Sequence, residues 1–365
     1  MAKRELLIAV GFLVAGALAY WLTAAPRERP IPRNTLPALV EEWRQETARS
    51  ASRETVRTSG NRPLGREVAE VRLSGFTRVD VVGEDRADVA WTLVVAASGP
   101  TPDAARTSAA NTTLVEDDLG AALALSPTSA GGDTRRTAEL TVRVPAHVSL
   151  RLEGARRVTV DGTSGVRLEG IVGDVSLKNV RGPLTGAHRN GALDVAGART
   201  LNLNLNASRA TLAGVEGDIT ISARNGECHL VAPAGATTIE ATGVVLTATE
   251  STGSLRANIT NGSMTITSPR DLVHVDARRA RIDLSLDRPV PITVVGVEST
   301  TAAALGETLP ITVDATITNG TIDARGVGLT ATPTHDGARL VHTFGAAARV
   351  TLRATRGAIE ITRRK

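Results

Sequence analysis

The chain has 365 residues, of which 42% are hydrophobic and 22% charged, a composition that predicts a folded protein and excludes a disordered one. Its 42 basic and 38 acidic side chains leave a net charge of +4, too small to indicate a nucleic-acid partner. The single cysteine, Cys228, excludes an intramolecular disulfide, and the absence of aromatic residues between Trp91 and Phe344 argues against stacking sites for sugars or bases.

An uncharged, apolar run follows Lys3 and Arg4 and extends from Leu6 to Ala25. A helix of that length spans about 30 Å, the thickness of the hydrocarbon core of a bilayer. Residues 1–25 are therefore predicted to anchor a single-pass protein in the cytoplasmic (inner) membrane, with the body outside the cytoplasm. The alternative is a signal peptide, cleaved near Ala17-Leu18-Ala19, that leaves a secreted protein.

Residues 26–63 are predicted to form a Pro-rich spacer and a juxtamembrane helix. Residues 26–37 contain four prolines, which favour an extended chain. Residues 38–58 are charged and free of proline, a pattern that predicts the short helix.

Residues 64–154 are predicted to be the N-terminal, β-rich part of the body. Apolar runs and alternating segments, bounded by glycine and proline, predict strands at 68–73, 78–82, 88–96, 119–126, 138–144 and 147–154. The polar segment 101–118 predicts a short helix or a surface excursion.

Residues 155–365 contain a repeat of strand and turn. Glycines open short alternating strands, and many neighbouring glycines are 8 or 9 residues apart, as in Gly165, Gly173, Gly182 and Gly191. Each unit of about nine residues has one apolar face that only a stacked neighbour covers. The spacing therefore predicts an all-β fold, a β-solenoid that resembles a parallel β-helix. The repeat loosens in the section 289–350, around its prolines.

Asn-Gly pairs in this region predict sharp turns, because both residue types tolerate positive φ. They occur at Asn190, Asn225, Asn261 and Asn319, and Arg356-Gly357 holds the matching place before the last strand. Asn-Gly is also the strongest signal for a hairpin, so an antiparallel β-sandwich is the alternative fold class.

These turn and strand motifs carry a resemblance to a known family. Gly173-Asp174-Val175, Gly217-Asp218-Ile219 and the closing segment 355–361 resemble the bacterial putative-adhesin domain family, over roughly residues 65–365. The resemblance implies a β-solenoid-like domain of an exported or membrane-anchored protein with no established enzymatic activity. It implies no particular functional residues.

The sequence contains no motif that predicts catalysis, and we expect neither an enzyme nor a cofactor. His274 and Asp276 share one strand face near Asp271, and we interpret them as an exposed ion pair rather than a metal or acid–base site. Asp283 and Asp287 lie about 13 Å apart along an extended strand, farther than the paired carboxylates of glycosidases. A β-helix enzyme that acts on polysaccharide is therefore the less favoured alternative.

We predict a non-catalytic protein that presents a surface for adhesion or binding in the bacterial cell envelope. Its partners would be the membrane, through the N-terminal helix, and an envelope polymer or protein. The candidate contact surface is the polar face of one strand, formed by Asn202, Asn204 and Asn206. A self-assembling envelope scaffold is the alternative function, because unpaired strand edges at the ends of a stack favour self-association.

Overall fold

The protein is almost entirely β-structure. The computed structural model describes residues 52–65, 67–128 and 136–364, in which 22 strands form one hydrogen-bonded network. The elements of the N-terminal part are β1 Ser52–Pro63, β2 Glu70–Ser74, β3 Arg78–Glu84, β4 Asp88–Gly99, α1 Pro102–Ala110, β5 Leu114–Asp118, β6 Ala122–Pro127, β7 Arg136–Pro145, β8 Ser149–Glu153, β9 Arg157–Asp161 and β10 Gly165–Val172. The strands predicted between residues 68 and 154 are confirmed, and the segment 101–118 contains α1 and β5.

The C-terminal part contains the longer strands. They are β11 Asp174–Val215, β12 Ile219–Val231, β13 Thr237–Thr249, β14 Leu255–Thr260, β15 Ser263–Thr267, β16 Val273–Arg278, β17 Arg281–Leu286, β18 Ile292–Gly306, β19 Ile311–Gly326, β20 Thr332–Thr334, β21 Gly337–Thr343 and β22 Ala348–Arg364. The longest of them, β11, bends several times at left-handed residues, among them Asn179, Asn190 and Ala207.

Most neighbouring strands run parallel, and from β11 to β17 the paired residues keep a constant offset in sequence. Leu201 lies beside Ile219, Ile219 beside Thr237, and Thr237 beside Leu255, each pair 18 residues apart. A constant offset places outward side chains of successive strands in straight rows across the sheet. Antiparallel pairs join β1, β4 and β7, β5 and β6, and β19, β21 and β20. The predominance of parallel pairs shows that the alternative of an antiparallel β-sandwich is wrong.

The predicted β-solenoid is also wrong, because the strand pairing closes on itself. Strand β13 pairs with both β14 and β15, and β18 pairs with both β16 and β17. Strand β14 also pairs with β16, and β15 with β17. Six parallel strands therefore form a closed ring, in the order β13, β14, β16, β18, β17 and β15, and the other strands lie outside it. The long strands bend at left-handed residues, Gly243 with φ 65° in β13 and Glu298 with φ 54° in β18, which change direction without ending the pairing.

The last strand departs from the constant offset. β22 lies between β18 and β19, and it brings Val350 beside Ile292, 58 residues away in sequence. The section 289–350, in which the glycine spacing loosens, supplies most of β18 and the outer strands β19, β20 and β21. These strands build the second groove described below.

The predictions for the N-terminus need correction. Residues 1–25, on which the transmembrane helix was predicted, lie outside the described residues, as does the spacer 26–37. Within 52–65, 67–128 and 136–364 no helix combines the length and apolar character needed to cross a bilayer, so the predicted inner-membrane placement finds no spanning helix in this part of the chain. The juxtamembrane helix predicted over 38–58 does not include residues 52–58, which belong to β1.

The core consists of aliphatic side chains that alternate with exposed ones along each strand. The burial predicted from alternation is confirmed for Leu201, Leu203 and Leu205 in β11, and for Ile219 and Ile221 in β12. Cys228 is buried among these residues, and burial raises the pKa of its thiol to about 12. It therefore acts as a small apolar side chain.

Candidate binding surface

The predicted contact surface lies on the segment 201–206 of β11. The leucines at 201, 203 and 205 point into the core, and Asn202, Asn204 and Asn206 are exposed. Because alternate residues of a strand lie roughly 6.7 Å apart, the three carboxamides form a straight row. None of them has a side-chain hydrogen bond to another described residue, so their donors and acceptors face solvent.

A second polar row runs beside the asparagines on β12. The parallel register places Thr220 beside Asn202, Ser222 beside Asn204 and Arg224 beside Asn206. Adjacent strands lie roughly 4.8 Å apart, so the two rows form one flat array of amide, hydroxyl and guanidinium groups. Such an array offers both hydrogen-bond donors and acceptors at fixed spacings.

A groove of about 370 Å³ adjoins this array. Asn202 and Asn204 line it together with Thr220 and Ser222, whereas Asn206 does not. The lining also includes Arg167, Thr185 and Gly186, which the sequence did not indicate. The structure thus places two of the three predicted residues at the groove.

The groove lies where the pairing of the chain is irregular, around Gly186. The pairing of β10 with β11 shifts register between Leu168 and Ile171. Gly186 has φ 125°, and a Cβ atom at this position would lie 2.0 Å from the carbonyl oxygen of Leu168. Only glycine permits this approach. The sequence signal for it was a glycine outside the regular series, between Gly182 and Gly191.

A buried histidine supports the end of the asparagine row. The His188 ring is fully buried, with Nε2 2.6 Å from the carbonyl oxygen of Gly173 and Nδ1 2.9 Å from Oγ of Ser208. Because a carbonyl only accepts, Nε2 carries the proton of the neutral ring and Nδ1 accepts from the Ser208 hydroxyl. Burial lowers the pKa of His188, an effect that outweighs the hydrogen bond to Gly173 and the nearby charge of Asp174.

This lowered pKa predicts a loss of stability in acid. Below pH 6.5 the unfolded chain binds a proton at His188 that the folded protein does not bind, so the free energy of unfolding falls as the pH decreases toward the folded pKa. His188 alone lowers the free energy of unfolding by up to about 1.4 kcal/mol per pH unit.

Urea unfolding at a series of pH values measures this decrease. The His188→Gln variant should lose this contribution, whereas the exposed control His147→Gln should retain it. An unchanged pH dependence in His188→Gln would contradict the assignment.

The other predicted titratable residues form ordinary surface pairs. Nε2 of His274 lies 3.1 Å from Oδ2 of Asp276, and both side chains are partly exposed, which agrees with the predicted exposed pair. Asp271 is not joined to it and instead accepts the backbone N–H of Leu272. Asp283 pairs with Arg281 at 2.9 Å and raises the pKa of that guanidinium. Among the residues that the structure describes, no cluster of three or more His, Cys, Asp or Glu side chains is arranged to hold a metal ion.

Comparison with known proteins finds remote structural neighbours. No protein family and no curated protein matches the chain. A putative adhesin from Parabacteroides distasonis is 9% identical, with 84% of this chain and 97% of the other covered at a TM-score of 0.32. A putative lipid binding protein from the same species is 12% identical, with coverages of 87% and 98% and a TM-score of 0.27. A putative cell adhesion protein from Clostridium sporogenes is 10% identical, with coverages of 85% and 100% and a TM-score of 0.19. Similarity at this level assigns no family.

Proposed function

We propose that the protein is a non-catalytic binding protein and that the amide surface is its contact site. We define the amide surface as Asn202, Asn204, Thr220 and Ser222, the residues of the two polar rows that line the groove. The observation that carries the proposal is the row of exposed carboxamides without side-chain partners among the described residues. Because the strand backbone is already ordered, binding costs only the rotamer entropy of the amide side chains.

The chemistry of the amide surface favours an uncharged polar polymer. A carboxamide donates and accepts hydrogen bonds, as does the acetamido group of an N-acetylated sugar, and the Thr220 and Ser222 hydroxyls complement sugar hydroxyls. The surface has no aromatic side chain on which a sugar ring would stack, so recognition would rest on hydrogen bonds. We infer that an N-acetylhexosamine polymer is the class of ligand.

Isothermal titration calorimetry with chitohexaose tests this proposal. The full chain should bind the oligosaccharide, and the double variant Asn202→Ala/Asn204→Ala should bind it about tenfold more weakly, since each lost hydrogen bond contributes roughly 0.5–1.5 kcal/mol. Asn258→Ala is the matched control, because Asn258 is an exposed asparagine of β14 outside the groove. Absence of binding to the unmodified chain, or equal weakening by Asn258→Ala, would refute the proposal.

A further inference from the structure

Two arginines pair with one buried carboxylate on the outer strands, and a third arginine lies nearby. Asp314 of β19 is 7% exposed, and its carboxylate accepts a hydrogen bond from Arg349 of β22. Nε of Arg339, on β21, lies 3.8 Å from the same carboxylate. Arg353 of β22 has neither an ion pair nor a side-chain hydrogen bond within the described part of the chain. The single carboxylate of Asp314 is therefore paired twice, and the charge of Arg353 is not neutralised by it.

The strand register directs two of these arginines to one place. Thr316 of β19 lies directly beside Arg353 on one neighbouring strand and directly beside Arg339 on the other. The two arginines are therefore separated by two strand spacings, roughly 9–10 Å between Cα atoms, with a hydroxyl between them. Residues paired in this way point to the same side of the sheet, so both guanidinium groups flank Thr316.

These residues line a groove of about 470 Å³. Asp314, Thr316, Arg339 and Arg353 form its polar part, and Val295 and Val297 of β18 form an apolar part. The volume is far larger than one oxyanion and falls within the usual range for small-molecule sites. A ligand that fills this groove therefore has an uncharged portion in addition to its anionic group.

We propose that this arginine groove binds an acidic polysaccharide through an oxyanion, the chemistry that a carboxylate and a sulfate share. The guanidinium fork matches the geometry of such groups and pairs with them through two parallel hydrogen bonds. Asp314 holds Arg339 and Arg349 in place before the ligand arrives, and Arg353 is left to pair with the ligand. The valines offer an apolar surface to the C–H face of a sugar ring.

The size of the groove favours a sugar chain over a small anion. Arg353 belongs to the same register row as Asn204, six strand pairings away. That row does not extend the anionic site, because it contains the carboxylates of Glu240 and Asp276, which repel an acidic chain, and the apolar side chain of Val295. The residues of that row, in order, are Asn204, Ser222, Glu240, Asn258, Asp276, Val295 and Arg353. The anionic site does not depend on the amide surface.

Calorimetric titration of the full chain at low salt tests the inference. The two probes are trigalacturonic acid, which carries carboxylates, and a sulfated heparin disaccharide, and the one that binds identifies the anionic group. Arg353→Gln should weaken binding about tenfold or more, and Arg353→Lys should give an intermediate affinity, because lysine keeps the charge but loses the fork. Arg353 is exposed and makes no ion pair among the described residues, so thermal unfolding of both variants should match that of the unmodified chain.

Two controls separate a specific site from general attraction. Arg256→Gln removes another exposed arginine on the same face, outside the groove, and should leave the affinity unchanged. The double variant Asn202→Ala/Asn204→Ala should also bind the acidic probes normally, so a failure of the amide surface is distinguishable from a failure of this site. The inference is wrong if neither oligosaccharide binds or if Arg256→Gln weakens binding as much as Arg353→Gln. It is also wrong if free acetate or sulfate binds as tightly as the oligosaccharides.

Discussion

Replacement of Leu205 by alanine is expected to lower the free energy of unfolding by about 2–5 kcal/mol. Leu205 is 2% exposed and belongs to the row of leucines behind the asparagines of β11. Its removal leaves a cavity that neighbouring strands cannot fill, because their backbones are fixed by hydrogen bonds on both sides. Equilibrium unfolding in urea, at constant slope, measures the loss.

The neighbouring residue supplies the control for this prediction. Asn206→Ala changes a side chain that is exposed and unpaired among the described residues, and it should alter the free energy of unfolding by at most about 0.5 kcal/mol. The contrast between two adjacent residues follows from alternation alone. If both variants lose the same stability, the assignment of core and contact faces to this strand is incorrect.

Alternation made the two faces of each strand predictable. Side chains of a strand point alternately to opposite sides whatever the strand pairs with, so a local sequence pattern contains the information. This pattern predicted which side chains are buried, including Val175, Leu177, Met264, Ile266, Ile359 and Ile361. The exposure of Asn202 and Asn204 followed in the same way.

The pairing of strands was not predictable from the same pattern. A left-handed residue between two strands serves a hairpin or a bend in a continuing strand equally well, so turn signals do not distinguish them. Several bends have residue types that give no turn signal, including Ala207, Glu250 and Arg279, all with φ near 50°. Pairing with the neighbouring strands imposes these conformations. The closed ring of parallel strands therefore had no local sequence signature.

The two grooves needed the same long-range information. Arg167 and Gly186 reach Asn202 only through the irregular pairing of β10 with β11. Asp314 and Arg349 are 35 residues apart and meet because β22 inserts beside β19. In the first groove the predicted residues, Asn202 and Asn204, lie on one strand, and the pairing of strands brings the other lining residues to them.

Gly226→Ala is expected to destabilise the protein by about 1–3 kcal/mol, through a contact that the Asn-Gly signal does not reveal. In the pair Asn225-Gly226 the asparagine adopts the left-handed conformation, with φ 53°. Gly226 instead lies against the neighbouring strand, where an added Cβ atom would be 2.2 Å from the carbonyl oxygen of Ser208. That atom belongs to the backbone, so the two strands would have to separate to admit a methyl group.

Thermal and urea unfolding of matched variants distinguishes the role of Gly226 from that of Asn225. Gly65→Ala is the matched control, because the nearest atom to its added Cβ is 4.0 Å away, and it should unfold like the unmodified chain. Asn225→Gly should be tolerated, whereas Asn225→Ala should lose about 1–2 kcal/mol, the cost of a left-handed conformation for a residue with a Cβ. Equal stability of Gly226→Ala and Gly65→Ala would show that the strands separate freely.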